Sequence, residues 1–331
     1  MVSKKEKIAA NVMLFMCAMF WGSSYAVRKM AVGHAQPLFF NGFRYMIGFF
    51  SVFVVYLFML ARKRGKGATD DAEKGAGLRT AQLPLSAEKQ AVAPGIQPLL
   101  PLGRQIASGL LIGAVFSVGT NLQQFGLLTS DAGKCGFITA LYIIIIPLAS
   151  RLLFKTHISA KIWIGVCVAL PGLFFISMGD SFDLVIGDAF FLIGAFFFAA
   201  QTMLVGHFVL RSDALLLSSM SLLSNGGLSL VLSLLFERGA RVTGFSAMLG
   251  PAIYTGLFTV GVAAILQFMG QKKATPSVTA IIISFESVFG ALFALILLQE
   301  YMSILQIVGC FMIFFAIIIS QMESRPAPKQ A

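Results

Sequence analysis

The chain has 331 residues, of which 57% are hydrophobic and only 12% are charged. A soluble domain carries about 25% charged residues. The mean hydropathy of +0.86 is spread along most of the chain, which excludes a soluble domain with a single anchor and leaves a polytopic membrane protein.

A span of the hydrocarbon core needs about 20 mostly apolar residues. In chain order ten are predicted: 9–30, 37–60, 106–126, 131–153, 160–178, 187–208, 214–236, 249–269, 277–298 and 302–321. This is an all-α integral membrane pattern. Lys4, Lys5 and Lys7 precede the first run as in a signal peptide, but the run continues to Met30 with no small-x-small cleavage site. It therefore reads as a retained helix. Residues 62–104 hold twelve charged residues, six Gly and four Pro, the composition of a flexible polar loop and not of a domain. The other connections are short, so neighbouring spans run antiparallel.

The net charge of +11 must be sorted by side of the membrane. With the N-terminus in the cytoplasm, nineteen of the 25 Lys and Arg fall on the inside. The other six are Arg28, Lys29, Arg44, Lys134, Arg238 and Arg241. Both termini are thus expected on the cytoplasmic side of the cell (inner or plasma) membrane. The positive charge then has membrane lipid as its neighbour and does not indicate nucleic acid. Cys17, Cys135, Cys167 and Cys310 each fall inside an apolar run and read as small core hydrophobes.

The halves resemble each other. Sliding 105–178 onto 249–322, an offset of 144, superposes Gln123 on Gln267, Gly126 on Gly270, Ser159 on Ser303 and Gly165 on Gly309. Upstream, "FWGSSY" of 20–25 falls on "FFAAQT" of 197–202 at an offset of 177. Five spans is an odd number, so two such units must have opposite orientation, the inverted-repeat design of secondary transporters.

These ten spans and paired five-helix units, with "FWGSSYAVRKMA" opening span 1 and "FESVFGALFALILLQEYMS" in the Pro276-initiated span 9, resemble the EamA type of the drug/metabolite transporter superfamily. The resemblance covers nearly the whole chain apart from 62–104. Two departures stand out. Relatives often carry Glu-Pro where this chain has Glu286-Ser287. The Gly-Glu common before span 10 reads Gln299-Glu300, and Lys155-Thr156 in the first copy. The resemblance implies a first repeat at 1–178, a second at 179–322 and a cytoplasmic tail at 323–331. It also implies efflux of metabolites, amino acids or drug-like solutes.

Lipid offers no water to unpaired polar groups, so their placement is informative. Two formal charges sit well inside a span, Arg44 and Glu286, each costing about 2.5–3.5 kcal/mol on insertion scales. Glu286 shares a face of span 9 with Thr279 and Gly290 and is a candidate proton carrier. The plainer alternative is a protonated acid bridging two helices. Arg44, near Asn41, Tyr45 and Gly48, keeps its proton and needs a carboxylate, a carbonyl or an anionic solute, unless it snorkels to the surface. Tyr142 occupies the position of Glu286 at offset 144. Amides follow in Gln124 (with Gln123 and Asn121), Gln201, Asn225 and Gln267. Trp21 is placed in a pocket because Ser23, Ser24 and Tyr25 follow it. Singly each of these amides is as well explained by interhelical hydrogen bonding, about 0.6 kcal/mol per bond; together they suggest a wet cavity.

The chain carries no Walker A pattern, no H-E-x-x-H and no G-x-S-x-G, and no cofactor or metal is indicated; His34, His157 and His207 lie near span ends. The expectation is a secondary transporter, not an enzyme. It would be a monomer or homodimer moving a small-molecule solute by alternating access, with protons as coupling ion. An integral-membrane enzyme on lipid-linked substrates would need clustered catalytic groups, and a receptor or assembly subunit would bind without flux.

Overall fold

The computed structural model describes residues 3–75, 99–130, 132–155, 158–177, 185–238, 242–297, 299 and 303–321. Residues 76–98 of the predicted loop and the tail 323–331 lie outside them. Each predicted span is mostly helical over its described residues. Eight segments are long and apolar enough to cross a bilayer, and two more, Ala160–Ile176 and Ile304–Ser320, are apolar but shorter. Strands are absent among the described residues, leaving isolated bridges from Ala35 to Val32 and Val242.

Helix α1 (Lys4–Ala31) opens on a capping box. Ser3 Oγ accepts from the Glu6 N–H at 3.2 Å while Glu6 Oε2 accepts from the Ser3 N–H at 2.9 Å, satisfying two otherwise orphaned donors. Helix α2 (Pro37–Gly75) runs past the predicted end of span 2, a correction to the expected loop. Once a span has nucleated a helix, each further residue adds a bond, and no proline intervenes before Pro84. Helix α3 (Leu102–Gly126) is span 3.

Span 4, expected as one helix, is two: α4 (Ala132–Ala140) and α5 (Tyr142–Phe154). Spans 5, 6 and 7 are α6 (Ala160–Ser177), α7 (Ile186–Phe208) and α8 (Ala214–Phe236). The Asp213 carboxylate caps α8 by accepting from the N–H groups of Leu215 and Leu216. Span 8 comprises α9 (Phe245–Tyr254), a π-wound stretch Thr255–Val262 and α10 (Ala263–Gln271). Pro251 lacks an N–H, and Thr255 and Thr259 hydroxyls donate to the carbonyls of Pro251 and Thr255 at 2.7 and 2.8 Å, which loosens the α pattern there.

Span 9 is also interrupted, between α11 (Pro276–Ile283) and α12 (Glu286–Leu297); α13 (Ile304–Gln321) is span 10. No proline causes either break. In span 9 the Ser284 hydroxyl donates back to the Ile281 carbonyl at 2.7 Å. The N–H groups of Phe285 and Ser287 then bond three residues back, to Ile282 and Ser284. In span 4, Leu141 and Ile144 bond three residues back, to Ile138 and Leu141. Both spans tighten at one turn before the α pattern resumes.

The helices pack with their polar groups inward. Asn41, Arg44, Asn225, Gln267 and Glu286 are buried, whereas Phe58, Leu153, Phe236 and Ile304 are exposed, the reverse of a soluble protein and the arrangement lipid requires. Helix α1 packs on α10 and α12, α7 on α3, α4 and α5, α2 on α8, and α6 on α13. Glycines permit the closest crossings. A Cβ on Gly172 would meet the Gly309 carbonyl at 2.9 Å, and Gly165 faces the Ala316 carbonyl at 3.0 Å, the small-residue contact common between membrane helices.

Candidate functional site

Helices from both halves enclose a central cavity with about 570 Å³ of empty volume, open solvent at its mouth included. Span 1 contributes a stripe of Trp21, Ser24, Tyr25 and Arg28, spaced so that they share one helix face. Arg44 and Tyr45 come from span 2, Thr120 and Gln123 from span 3, and Thr139 and Tyr142 from span 4. Gln201 and Thr202 come from span 6, Thr259 from span 8, and Thr279 and Glu286 from span 9.

Glu286 is the first residue of α12, so the break in span 9 presents its carboxyl to the cavity. The side chain is 2% exposed. Tyr142, which opens α5 at the break in span 4, donates its hydroxyl to Glu286 Oε1 at 3.3 Å. The two residues lie 144 positions apart, the predicted repeat offset, and they touch. Ser287 reinforces the junction by donating to the Gly136 carbonyl at 3.2 Å. Gly290 lets Tyr25 approach, since a Cβ there would lie 3.3 Å from its ring.

Arg44 does not snorkel to the surface; it is 3% exposed. Its Nε and Nη2 both donate to Asn41 Oδ1, at 2.9 and 2.7 Å, and the guanidinium sits 4.7 Å from the Tyr45 ring centroid. Asn41 in turn donates to Asn121 Oδ1 at 2.6 Å and Thr120 Oγ1 at 3.2 Å. Asn225 donates to Thr120, and Asn121 to Ser229. Asn41 and Asn225 therefore stand behind the cavity wall, joining spans 2, 3 and 7.

Arg28, sorted by the charge count as an outer-flank residue, is instead buried at 2% exposure and faces the cavity. Its Nη1 donates to Gln123 Oε1 at 2.6 Å and its Nε to Gln124 Oε1 at 2.9 Å, so Gln124 acts from behind the wall. Nη2 is buried and has no hydrogen-bond partner. Gln123 continues to Thr139 Oγ1 at 3.1 Å, tying spans 1, 3 and 4 together. In the second half Gln201 and Gln267 exchange hydrogen bonds at 3.3 Å; Gln201 lines the cavity, and Gln267 lines a smaller adjoining space.

Aromatic rings complete the wall. Tyr45 and Phe198 each meet Phe116 edge-on, with centroids 5.9 and 5.6 Å away. Trp21 lies beside Phe116 at 6.4 Å and donates its indole N–H to the Thr259 carbonyl at 3.0 Å, within the π-wound stretch. Phe116 and Phe198 were not singled out in the sequence, where they merge into 32 phenylalanines. Arg28 had a signal there: Trp21, Tyr25 and Arg28 recur at i, i+4 and i+7.

Comparison with known proteins agrees in character. Residues 185–322 match the EamA-like transporter family. An "Uncharacterized transporter" from Archaeoglobus fulgidus is 26% identical over 314 residues, covering 95% of this chain and 86% of that protein. A second "Uncharacterized transporter", from Methanothermobacter thermautotrophicus, is 23% identical over 205 residues, covering 60% of this chain and 59% of its own length. A solved crystal structure at 16% identity shares the fold with a TM-score of 0.69 over 94% of this chain and 96% of that one. With its apolar helices, a second half similar to the EamA-like transporter family and relatives that are transporters by name, the chain is a multi-pass membrane transporter.

Proposed function

We propose that the protein is a secondary transporter in which two inverted five-span halves, 1–178 and 179–322, alternately open one central cavity to either side of the membrane. The observation that carries this is the contact between Tyr142 and Glu286. In a pair of halves related by a twofold axis, only residues on the axis meet their own counterparts. Other features support the same relation. Both residues begin a helix after a break. Lys155 and Gln299, also 144 apart, share a left-handed backbone. The Gly165–Ala316 approach maps onto that of Gly309 and Gly172. Exchanging the halves carries the packing of α1 on α11 and α12 onto that of α7 on α4 and α5. Cavities between such halves are where transporters of this design hold their solutes.

Glu286 is the proposed proton carrier. A buried carboxylate is costly unless water or a cation reaches it, so opening the cavity to one side and exchanging the proton there become linked. The solute is a small organic molecule, and the superfamily resemblance favours efflux. Reconstitution tests this. Wild-type protein in proteoliposomes should catalyse counterflow of its solute and concentrate it under a pH gradient. Glu286→Gln should retain counterflow within several-fold while gradient-driven accumulation vanishes. Undiminished accumulation by that variant removes Glu286 from coupling, and absence of any flux across a broad solute panel removes transport.

A further inference from the structure

Two arginines, Arg28 and Arg44, face the cavity. Among the described residues neither Arg28 nor Arg44 is paired with a carboxylate; their hydrogen bonds go to Gln123, Gln124 and Asn41. Glu286 is engaged elsewhere, by Tyr142. Neutral amide oxygens orient a guanidinium without cancelling its charge, and a guanidinium does not shed its proton. Two like charges in one buried chamber are expensive. Arg28 adds a second cost, the buried and unpartnered Nη2, in a protein interior where nearly all such donors find an acceptor.

We infer that the cavity takes a solute bearing a compact oxyanion, a carboxylate or phosphate, received by the free Nη2 of Arg28 together with Arg44, with the solute's apolar body against Trp21, Tyr45, Phe116 and Phe198. The two classes share the chemistry a guanidinium recognises: planar or tetrahedral oxygens that accept charge-assisted hydrogen bonds. Adjacent glutamines hold the Arg28 head in place, so little side-chain entropy is lost when the anion arrives. The edge-on aromatic cluster beside the arginines offers apolar surface to the solute's hydrocarbon body.

The inference rests on the transport function proposed above, and a binding experiment separates the two. Purified protein in detergent is melted with phenylacetate, phenyl phosphate or the neutral phenylacetamide, each at millimolar concentration. A ligand that binds only the folded state raises the melting temperature. One or both anions should raise it by several degrees, and the amide by less than about 1 °C; whichever anion acts identifies the headgroup. Arg28→Met, which removes the unpaired charge and keeps most of the volume, should fold and require at least tenfold more anion for the same shift. Arg28→Lys should fall between, because it keeps charge and loses the fork. Equal stabilisation by the amide, or an undiminished anion response in Arg28→Met, overturns the inference. Anion binding without flux in liposomes leaves it standing and overturns the transport function instead. Flux of neutral or cationic solutes alone, with no anion response, does the opposite.

Discussion

Lys155 and Gln299 hold φ values of 51° and 55°, a left-handed backbone in which Cβ crowds the following carbonyl at a cost of roughly 1–2 kcal/mol. Lys155 ends α5, and its N–H reaches back to the Ser150 carbonyl. The sequence had flagged these two positions, because relatives place glycine there. Their geometry supplies the reason: the turn needs left-handed backbone, which glycine adopts without strain. Lys155→Gly and Gln299→Gly should each stabilise the protein by about 0.5–1 kcal/mol after allowing for glycine's greater freedom in the unfolded chain. The check is the melting temperature in detergent, where a fall in both variants would count against strain at these turns. Other residues were legible to different degrees. Glu286 and Arg44 stood out because a charge in an apolar run has few explanations. Arg28 did not, since counting Lys and Arg by segment treats a residue three positions from a helix end as a flank. Burial by the neighbouring span 3, through Gln123 and Gln124, is a tertiary fact that the count lacks.

The ten runs were readable as helices because hydropathy alone decides what can lie in lipid. The interruptions were not readable. The breaks at Leu141 and at Ser284–Phe285 fall inside apolar stretches with no proline at the break itself, and they involve single hydroxyl and backbone bonds. The extension of α2 to Gly75 was hidden for the converse reason. Its residues are polar enough for a loop, yet a helix already under way continues at little cost. Close crossings of elements are easier to test. Spans 5 and 10 meet at Gly172 and Gly309, where a Cβ on Gly309 would lie 2.9 Å from Ile176 Cγ1 and 3.1 Å from its backbone nitrogen. Gly309→Val should therefore destabilise by about 1–3 kcal/mol through overpacking, read as a lower melting temperature and reduced yield of monodisperse protein. Gly250→Ala, where nothing lies within 4 Å of an added Cβ, should leave both unchanged.

For the whole molecule, the distribution of charge predicts orientation. Lys273 lies at the end of α10 and pairs with Glu6 near the start of α1 at 2.9 Å, whereas Ser246 is exposed at the opposite end of span 8. In a background with the native cysteines replaced, Ser246→Cys should react with an impermeant maleimide on intact cells, and Lys273→Cys only after permeabilisation. The reverse pattern would invert the proposed topology. The inside-out character of the fold, polar within and apolar without, was legible from composition. The chamber's wall was legible in part: Trp21, Arg44, Tyr142, Gln201 and Glu286 stand out in the sequence, whereas Arg28, Phe116 and Phe198 do not, because residues from seven spans converge there.

The junction at Gly136 and Ser287 has a consequence for biogenesis. These partners are 151 residues apart, so span 4 is made long before the serine that bonds to it has been translated. The chamber acquires its last wall only when span 9 arrives and Glu286 meets Tyr142.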